Sequence, residues 1–299
     1  MARLVAVVGP TATGKSALGV ALAQHLGGEV VNADSMQLYR GMDIGTAKLT
    51  EAERCGVPHH LLDIWPVTQT ASVADYQARA RERIDELIGR GVTPVLVGGS
   101  GLYVRAVIDP ISFPGTDAAV RAELEAELAA QGPAALHARL AASDPAAAAA
   151  ISPANGRKIV RALEVVALTG GPFTAALPSY DEQLYDAVQI GLDLDTSVLD
   201  ARLERRVDLM LDSGFEDEVR RLDRDGLRAG VTASRALGYA QLLAVIDGRL
   251  SLPAARADTV RATRRFVRRQ RSWFRRDPRI SWLDAATDPL AQALQITAG

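Results

Sequence analysis

A short apolar, β-prone stretch (residues 3–8) runs directly into Gly9-Pro10-Thr11-Ala12-Thr13-Gly14-Lys15-Ser16, and a helix-like stretch from Ala17 to Leu26 follows. This is G-x-x-x-x-G-K-[ST] between a strand and a helix. The glycines let backbone N–H groups converge on phosphate oxygens, and the helix N-terminus adds partial positive charge. Lys15 supplies a full charge, and the Ser16 hydroxyl can hold a magnesium ion bridging phosphate oxygens. Gly9, Pro10, Thr11, Ala12, Thr13, Gly14, Lys15 and Ser16 are therefore candidates for binding a di- or triphosphate, and the motif does not by itself specify a nucleotide.

The pattern beyond the loop agrees with a parallel sheet. A short strand (Glu29 to Asn32) leads to Asp34. Val73, Tyr76, Ala80, Ile84, Leu87 and Ile88 repeat at helical spacing over 72–90, and a strand from Thr93 to Val97 precedes Gly98-Gly99-Ser100-Gly101. Strands alternating with helices predict an α/β fold, a P-loop NTPase-like parallel sheet flanked by helices. Ligands in such sheets bind at the carboxyl ends of strands, where Gly9–Ser16, Asp34 and Gly98–Gly101 all fall. The character changes near Pro110–Asp117. Residues 116–185 read as a mainly helical insertion, with a helix from Ala118 to about Ala142 and another from Arg157 to Leu168 stopped by Gly170-Gly171-Pro172. Residues 186–194 return as a strand, so 1–115 and 186–299 form the core. After 196 the pattern is helical to the end of an arginine-rich stretch.

Charge sharpens the picture. The net charge is −2, which argues against indiscriminate nucleic-acid binding. Yet residues 256–279 hold ten arginines against Asp258 and Asp277. Segregated positive charge of this kind suits a surface that meets a polyanion, and arginine pairs bidentately with phosphate. Phe266, Trp273 and Phe274 interleave with these arginines. No run of eighteen apolar residues predicts a membrane span. The single cysteine, Cys55, has no internal disulfide partner, and a cytoplasmic monomer is expected. His59 and His60 have no complementary ligand cluster and read as structural.

Asp34 can be read two ways. Beside the phosphate loop its carboxylate can bind magnesium or accept a proton from an incoming nucleophile. It also suits a helix N-cap. Arg202 and Arg206 share a helix face at i, i+4 and either reach the phosphate or simply solvate that face.

Asp34-Ser35-Met36-Gln37-Leu38-Tyr39-Arg40-Gly41-Met42-Asp43-Ile44-Gly45-Thr46-Ala47-Lys48, taken with the phosphate loop, resembles the bacterial tRNA dimethylallyltransferases, the IPP transferase family. Pro58-His59-His60-Leu61-Leu62-Asp63, Gly98-Gly99-Ser100-Gly101-Leu102-Tyr103, Arg161-Ala162-Leu163-Glu164-Val165, Ala236-Leu237-Gly238-Tyr239 and Arg268-Arg269-Gln270-Arg271-Ser272-Trp273-Phe274-Arg275 follow in family order. The resemblance spans residues 9 to 275.

The resemblance implies that the loop holds the diphosphate of dimethylallyl diphosphate with Mg2+. It further implies that the exocyclic amine of the adenosine 3′ of the tRNA anticodon attacks the allylic carbon. Asp34 is then the general base, Lys15 stabilises the leaving diphosphate, and Ser100 stands where the family usually has threonine. An adenine amine inside a stacked anticodon stem-loop must be flipped out to react. The family pattern places tRNA contacts at Asp34, Ser35, Met36, Gln37, Ser100, Arg121, Arg157, Lys158, Arg161, Arg235, Arg268, Arg269, Gln270, Arg271, Trp273 and Arg275. Arg157-Lys158 stands where the family usually reads Gln-Arg.

Two other enzyme readings compete. A small-metabolite P-loop kinase explains the loop and Asp34 but not the arginine-rich stretch or the insertion. Prenyl transfer to free adenine nucleotides predicts a shorter chain. An RNA-binding NTPase switch belongs to a different class and needs a γ-phosphate-sensing motif, for which the sequence offers no persuasive candidate.

Overall fold

The structure is a computed structural model that describes residues 3–173 and 177–299. Its chain contacts divide into two units, one running to Pro110 and resuming at Tyr180, the other formed by the segment between.

The first unit is built on a six-stranded parallel sheet: β1 (Val5–Val8), β2 (Gly28–Asn32), β3 (His59–His60), β4 (Thr93–Gly98), β5 (Val188–Asp193) and β6 (Ile280–Asp284), in the order β3-β2-β4-β1-β5-β6. Its helices are α1 (Lys15–Leu26), α2 (Val73–Gly89) and α3 (Gly101–Ile108). In the second unit lie α4 (Ala118–Ser143), α5 (Pro145–Ala150) and α6 (Gly156–Thr169). The first unit resumes with α7 (Thr196–Asp212), α8 (Phe215–Arg224), α9 (Tyr239–Ile246), α10 (Leu252–Phe274) and α11 (Pro289–Ala298).

Strand β1 is buried at every position because helices cover both faces of the sheet. Leu4, Ala6 and Val8 point into one apolar core and Val5 and Val7 into the other, the period-two alternation of a strand buried on both sides. The crossing from β1 to β2 passes over β4, while β5 lies on the other side of β1. The loops after β1 and β4 therefore emerge side by side, with Val8 in register with Gly98.

Two expectations need correction. The unit boundaries lie at 110/111 and 179/180, and not at 115/116 and 185/186. The carbonyls of Pro114 and Gly115 accept from Arg161 of α6, so that loop belongs to the helical unit. Tyr180 belongs to the core, where its ring is faced by the guanidinium groups of Arg105 and Arg279 at 4.4 and 5.2 Å. Asp109, which has no solvent exposure, pairs with Arg105 and, at 2.8 Å, with Arg279. The helix expected from Ala118 onward is interrupted, since Gly132 is non-helical at φ 79° and Pro133 follows it. Beyond the arginine-rich stretch, Ile280–Asp284 adds a sheet strand beside β5.

The helical unit is centred on Glu164 of α6, whose side chain is shielded completely from water. It accepts from the hydroxyl of Thr116 at 2.6 Å and from Arg121 and Arg161 at 2.5 and 2.7 Å. Burial alone would raise its pKa, but these hydrogen bonds outweigh burial and hold it down to about 2, against an ordinary value of 4.5. A carboxyl depressed on folding stabilises the fold above its unfolded pKa, and that contribution is lost as the pH falls from about 5 toward 2. On the order of 2 kcal/mol should disappear over that range. Hydrogen exchange in α6, corrected for intrinsic rates, should reveal it. The Glu164→Gln chain should lack this share of the pH dependence.

No helix among the described residues is long and apolar enough to cross a membrane.

Candidate active site

The phosphate loop closes over the end of β1. Gly9 sits at φ +131°, and a Cβ there would lie 2.3 Å from the carbonyl oxygen of Leu192 on β5, so only glycine fits. The Thr13 hydroxyl and the Lys15 ammonium both donate to the Pro10 carbonyl, at 2.9 and 2.7 Å. A more distant residue completes the loop. Gln270 of α10, 5% exposed, accepts the Thr11 N–H at 3.0 Å and donates to the Gly99 carbonyl at 2.9 Å. One amide thus joins the loop after β1 to the loop after β4.

Two cavities meet here. The first, about 230 Å³, is lined by Lys15 and Ser16 of the loop together with Asn32, Gln37, His59 and Gly98. The second, about 310 Å³, is more apolar, with Met36, Leu203, Met210, Phe215 and Phe266 in its wall and Ser100, Arg235 and Arg269 among its polar groups. Thr11, Asp34, Thr46 and Arg206 line both. Of the two arginines singled out on α7, Arg206 donates to the Thr11 hydroxyl at 3.0 Å and faces the cavities, whereas Arg202 lines neither.

Asp34 precedes a turn and starts no helix. Its Oδ1 accepts the Met36 N–H at 2.9 Å, and its carboxylate borders both cavities. Ser100 holds the neighbouring turn: its hydroxyl accepts the Ser35 N–H and donates to the Ser35 hydroxyl, both at 3.2 Å.

Charge is concentrated in the same place. Burial lowers the pKa of Lys15 to about 8, with Asp34 raising it and Arg206 lowering it further. Burial also lowers the pKa of Arg206. A buried lysine of this kind loses its proton as the pH rises through about 8, so its attraction for a polyphosphate is full below that pH and fades above it. A bound anion restores the proton. Binding of magnesium diphosphate at pH 8 should therefore take up about 0.5 proton from the buffer. Calorimetry in buffers of different ionisation heat measures this, and the Lys15→Ala chain should show none.

The basic residues divide into two groups. Arg268 is exposed and makes no hydrogen bond or ion pair with any described residue, and Arg269, also exposed, lies 5.7 Å from the centre of the Phe266 ring. Arg157 and Lys158 are exposed on α6. Other expected contacts are used inside the fold. Gln270 is the bridge described above. Arg271 is held by Asp193, Thr196 and the Leu194 carbonyl, and Arg275 by Asp193 at 3.0 Å. Trp273 packs over Gly101, where a Cβ would lie 2.2 Å from its ring. Arg121 and Arg161 are committed to Glu164. Gln270 and Arg271 lie on the inward side of α10, where an amide or arginine left without a partner would be costly, whereas Arg275, past the end of α10, stays exposed.

The sequence reading passed over Glu218. Its carboxylate, 2% exposed, accepts the N–H groups of Asp43, Ile44 and Gly45 and the hydroxyl of Tyr239. A signal was present, because Glu218 follows Phe215 and precedes Val219 and Leu222 at the spacing of an apolar stripe.

Sheet order, loop and paired cavities define a P-loop α/β protein in which a cavity at the loop adjoins a second, more apolar one. The sequence profile of the IPP transferase family matches residues 37–277. A tRNA dimethylallyltransferase of Streptomyces coelicolor is 67% identical over 281 residues, covering 94% of this chain and 90% of that protein. Among solved structures, the full-length tRNA isopentenylpyrophosphate transferase of Bacillus halodurans is 43% identical with a TM-score of 0.73, covering 100% of this chain and 95% of that one. A eukaryotic dimethylallyltransferase acting on tRNA is 26% identical with a TM-score of 0.81, covering 98% and 75%. The chain belongs to the IPP transferase family.

Proposed function

We propose that the chain is a tRNA dimethylallyltransferase that moves the dimethylallyl group of dimethylallyl diphosphate to the exocyclic amine of the adenosine 3′-adjacent to the anticodon. One observation carries this reading: Asp34 stands where a phosphate-loop cavity meets a second cavity with an aromatic and apolar wall. The diphosphate lies on Gly9–Ser16, and the flipped adenine enters by the second cavity beside Phe266.

The adenine nitrogen forms a bond to the allylic carbon as the carbon–oxygen bond to diphosphate breaks. The bonding electrons leave with the diphosphate, and Asp34 takes the proton from the amine. Lys15, Arg206 and the loop N–H groups stabilise the negative charge that grows on the leaving group. Ser100 holds the turn that carries Asp34. A magnesium ion fits this site as an oxygen-liganded ion. The described residues contain no group of three or more His, Cys, Asp or Glu ligands, so the Ser16 hydroxyl would share it with phosphate oxygens and water. Bound there it would neutralise diphosphate charge. Arg235, Arg268 and Arg269 of the first unit, and Arg157 and Lys158 of the helical unit, would meet RNA phosphates.

Purified protein incubated with magnesium, labelled dimethylallyl diphosphate and unmodified tRNA should put label into tRNA and none into free AMP. Unlabelled tRNA, with ATP consumed on a small metabolite instead, would place the chain among kinases.

A further inference from the structure

The geometry points to Glu218 as a positioning residue for prenyl transfer, one that fixes the rim where the two cavities join. The inference rests on the function proposed above and adds to it a residue outside the cavity lining.

Thr46 and Gly45 are the elements at issue. Thr46 is one of four residues common to both cavities, Gly45 lines the second, and Ala47 lines the first, so the turn Asp43–Ala47 is the partition between them. A backbone turn at a cavity edge has no ladder to hold it. Glu218 does so from behind. Its Oε2 accepts from Asp43 and Ile44 at 3.1 and 2.8 Å, and its Oε1 accepts from Gly45 at 3.2 Å and from the Tyr239 hydroxyl at 2.6 Å.

The turn is also pressed into an aromatic seat. Phe215 and Tyr239 meet edge to face with ring centres 4.9 Å apart, and a Cβ on Gly45 would lie 2.2 Å from Phe215 and 2.6 Å from Tyr239. Thr46 is then fixed within the turn, its hydroxyl on the Met42 carbonyl at 2.6 Å and its own carbonyl accepting from Gln37 at 3.1 Å. Displacing this rim changes how donor and acceptor approach each other beside Asp34. It leaves the phosphate loop untouched, because that loop is held by its own bonds to the Pro10 carbonyl and by Gln270. A misplacement of about 1 Å can cost on the order of 100-fold in rate.

Two variants test this. Glu218→Gln keeps the shape but cannot accept from all four donors, and Tyr239→Phe removes one of the four bonds while keeping the ring. Kinetics are measured at saturating tRNA and dimethylallyl diphosphate on protein confirmed as folded, alongside the affinity for magnesium diphosphate. We expect kcat to fall about 30-fold or more in Glu218→Gln and about fivefold in Tyr239→Phe. Diphosphate affinity should stay within about threefold in both. Unchanged kcat with only a lowered Tm would overturn the assignment, as would a parallel loss of diphosphate affinity. Should Glu218→Gln not fold, an unchanged kcat in Tyr239→Phe overturns it alone. Absence of transfer by the unaltered chain would instead remove the underlying function.

Discussion

Replacing Asp34 by asparagine is expected to slow prenyl transfer about 1000-fold at saturating substrates. Asparagine keeps an oxygen that can accept the Met36 N–H, so the turn after β2 survives. What it loses is the negative charge and the ability to accept a proton. Affinity for tRNA should change little. Affinity for diphosphate should fall modestly at neutral pH, because Asp34 is the group that raises the pKa of Lys15 against burial. Single-turnover rates with both substrates bound separate the two effects. Activity above about a tenth of the original would show that the amine proton leaves by another route.

Removing Asp109 should have the largest effect on stability. Its carboxylate is fully buried between Arg105, itself 6% exposed, and Arg279, and both guanidinium groups also face the Tyr180 ring. Asp109→Ala leaves two cations with reduced compensation; Asp277 remains for Arg279 at 2.7 Å. Breaking a buried ionic cluster on one side costs about 3–5 kcal/mol. Urea unfolding should show this as a lower midpoint with an unchanged slope. A loss below about 1 kcal/mol would mean that water reaches the cluster.

The sheet core and the phosphate loop were legible in the sequence because local chemistry dictates both. Glycines and Lys15 between an apolar strand and a helix admit few other arrangements, and the residues of β4 and β5 are short apolar runs bounded by turns. Strand β6 was less legible because Ile280–Asp284 is only half apolar and gains its partner, β5, from about ninety positions earlier. Roles in the basic stretch were legible in composition but not in detail. A run of arginines indicates positive charge, yet only packing shows that Arg268 faces outward while Arg271 turns in toward Asp193. That Arg121 and Arg161 pair with Glu164 was not legible, since the buried Glu164 between them has no local marker. The two readings of Asp34 were separable only in the fold, where no helix starts at it and its carboxylate borders the cavities.

The bond from Thr11 to Gln270 joins positions 259 residues apart. During synthesis the phosphate loop emerges well before α10, but its shape is not complete until α10 has been made and packed. A ribosome-bound chain that already contains Lys15, Asp34 and most of the sheet still lacks the amide that joins the two loops. The order of synthesis therefore delays completion of the bridged loops until the arginine-rich helix has been made.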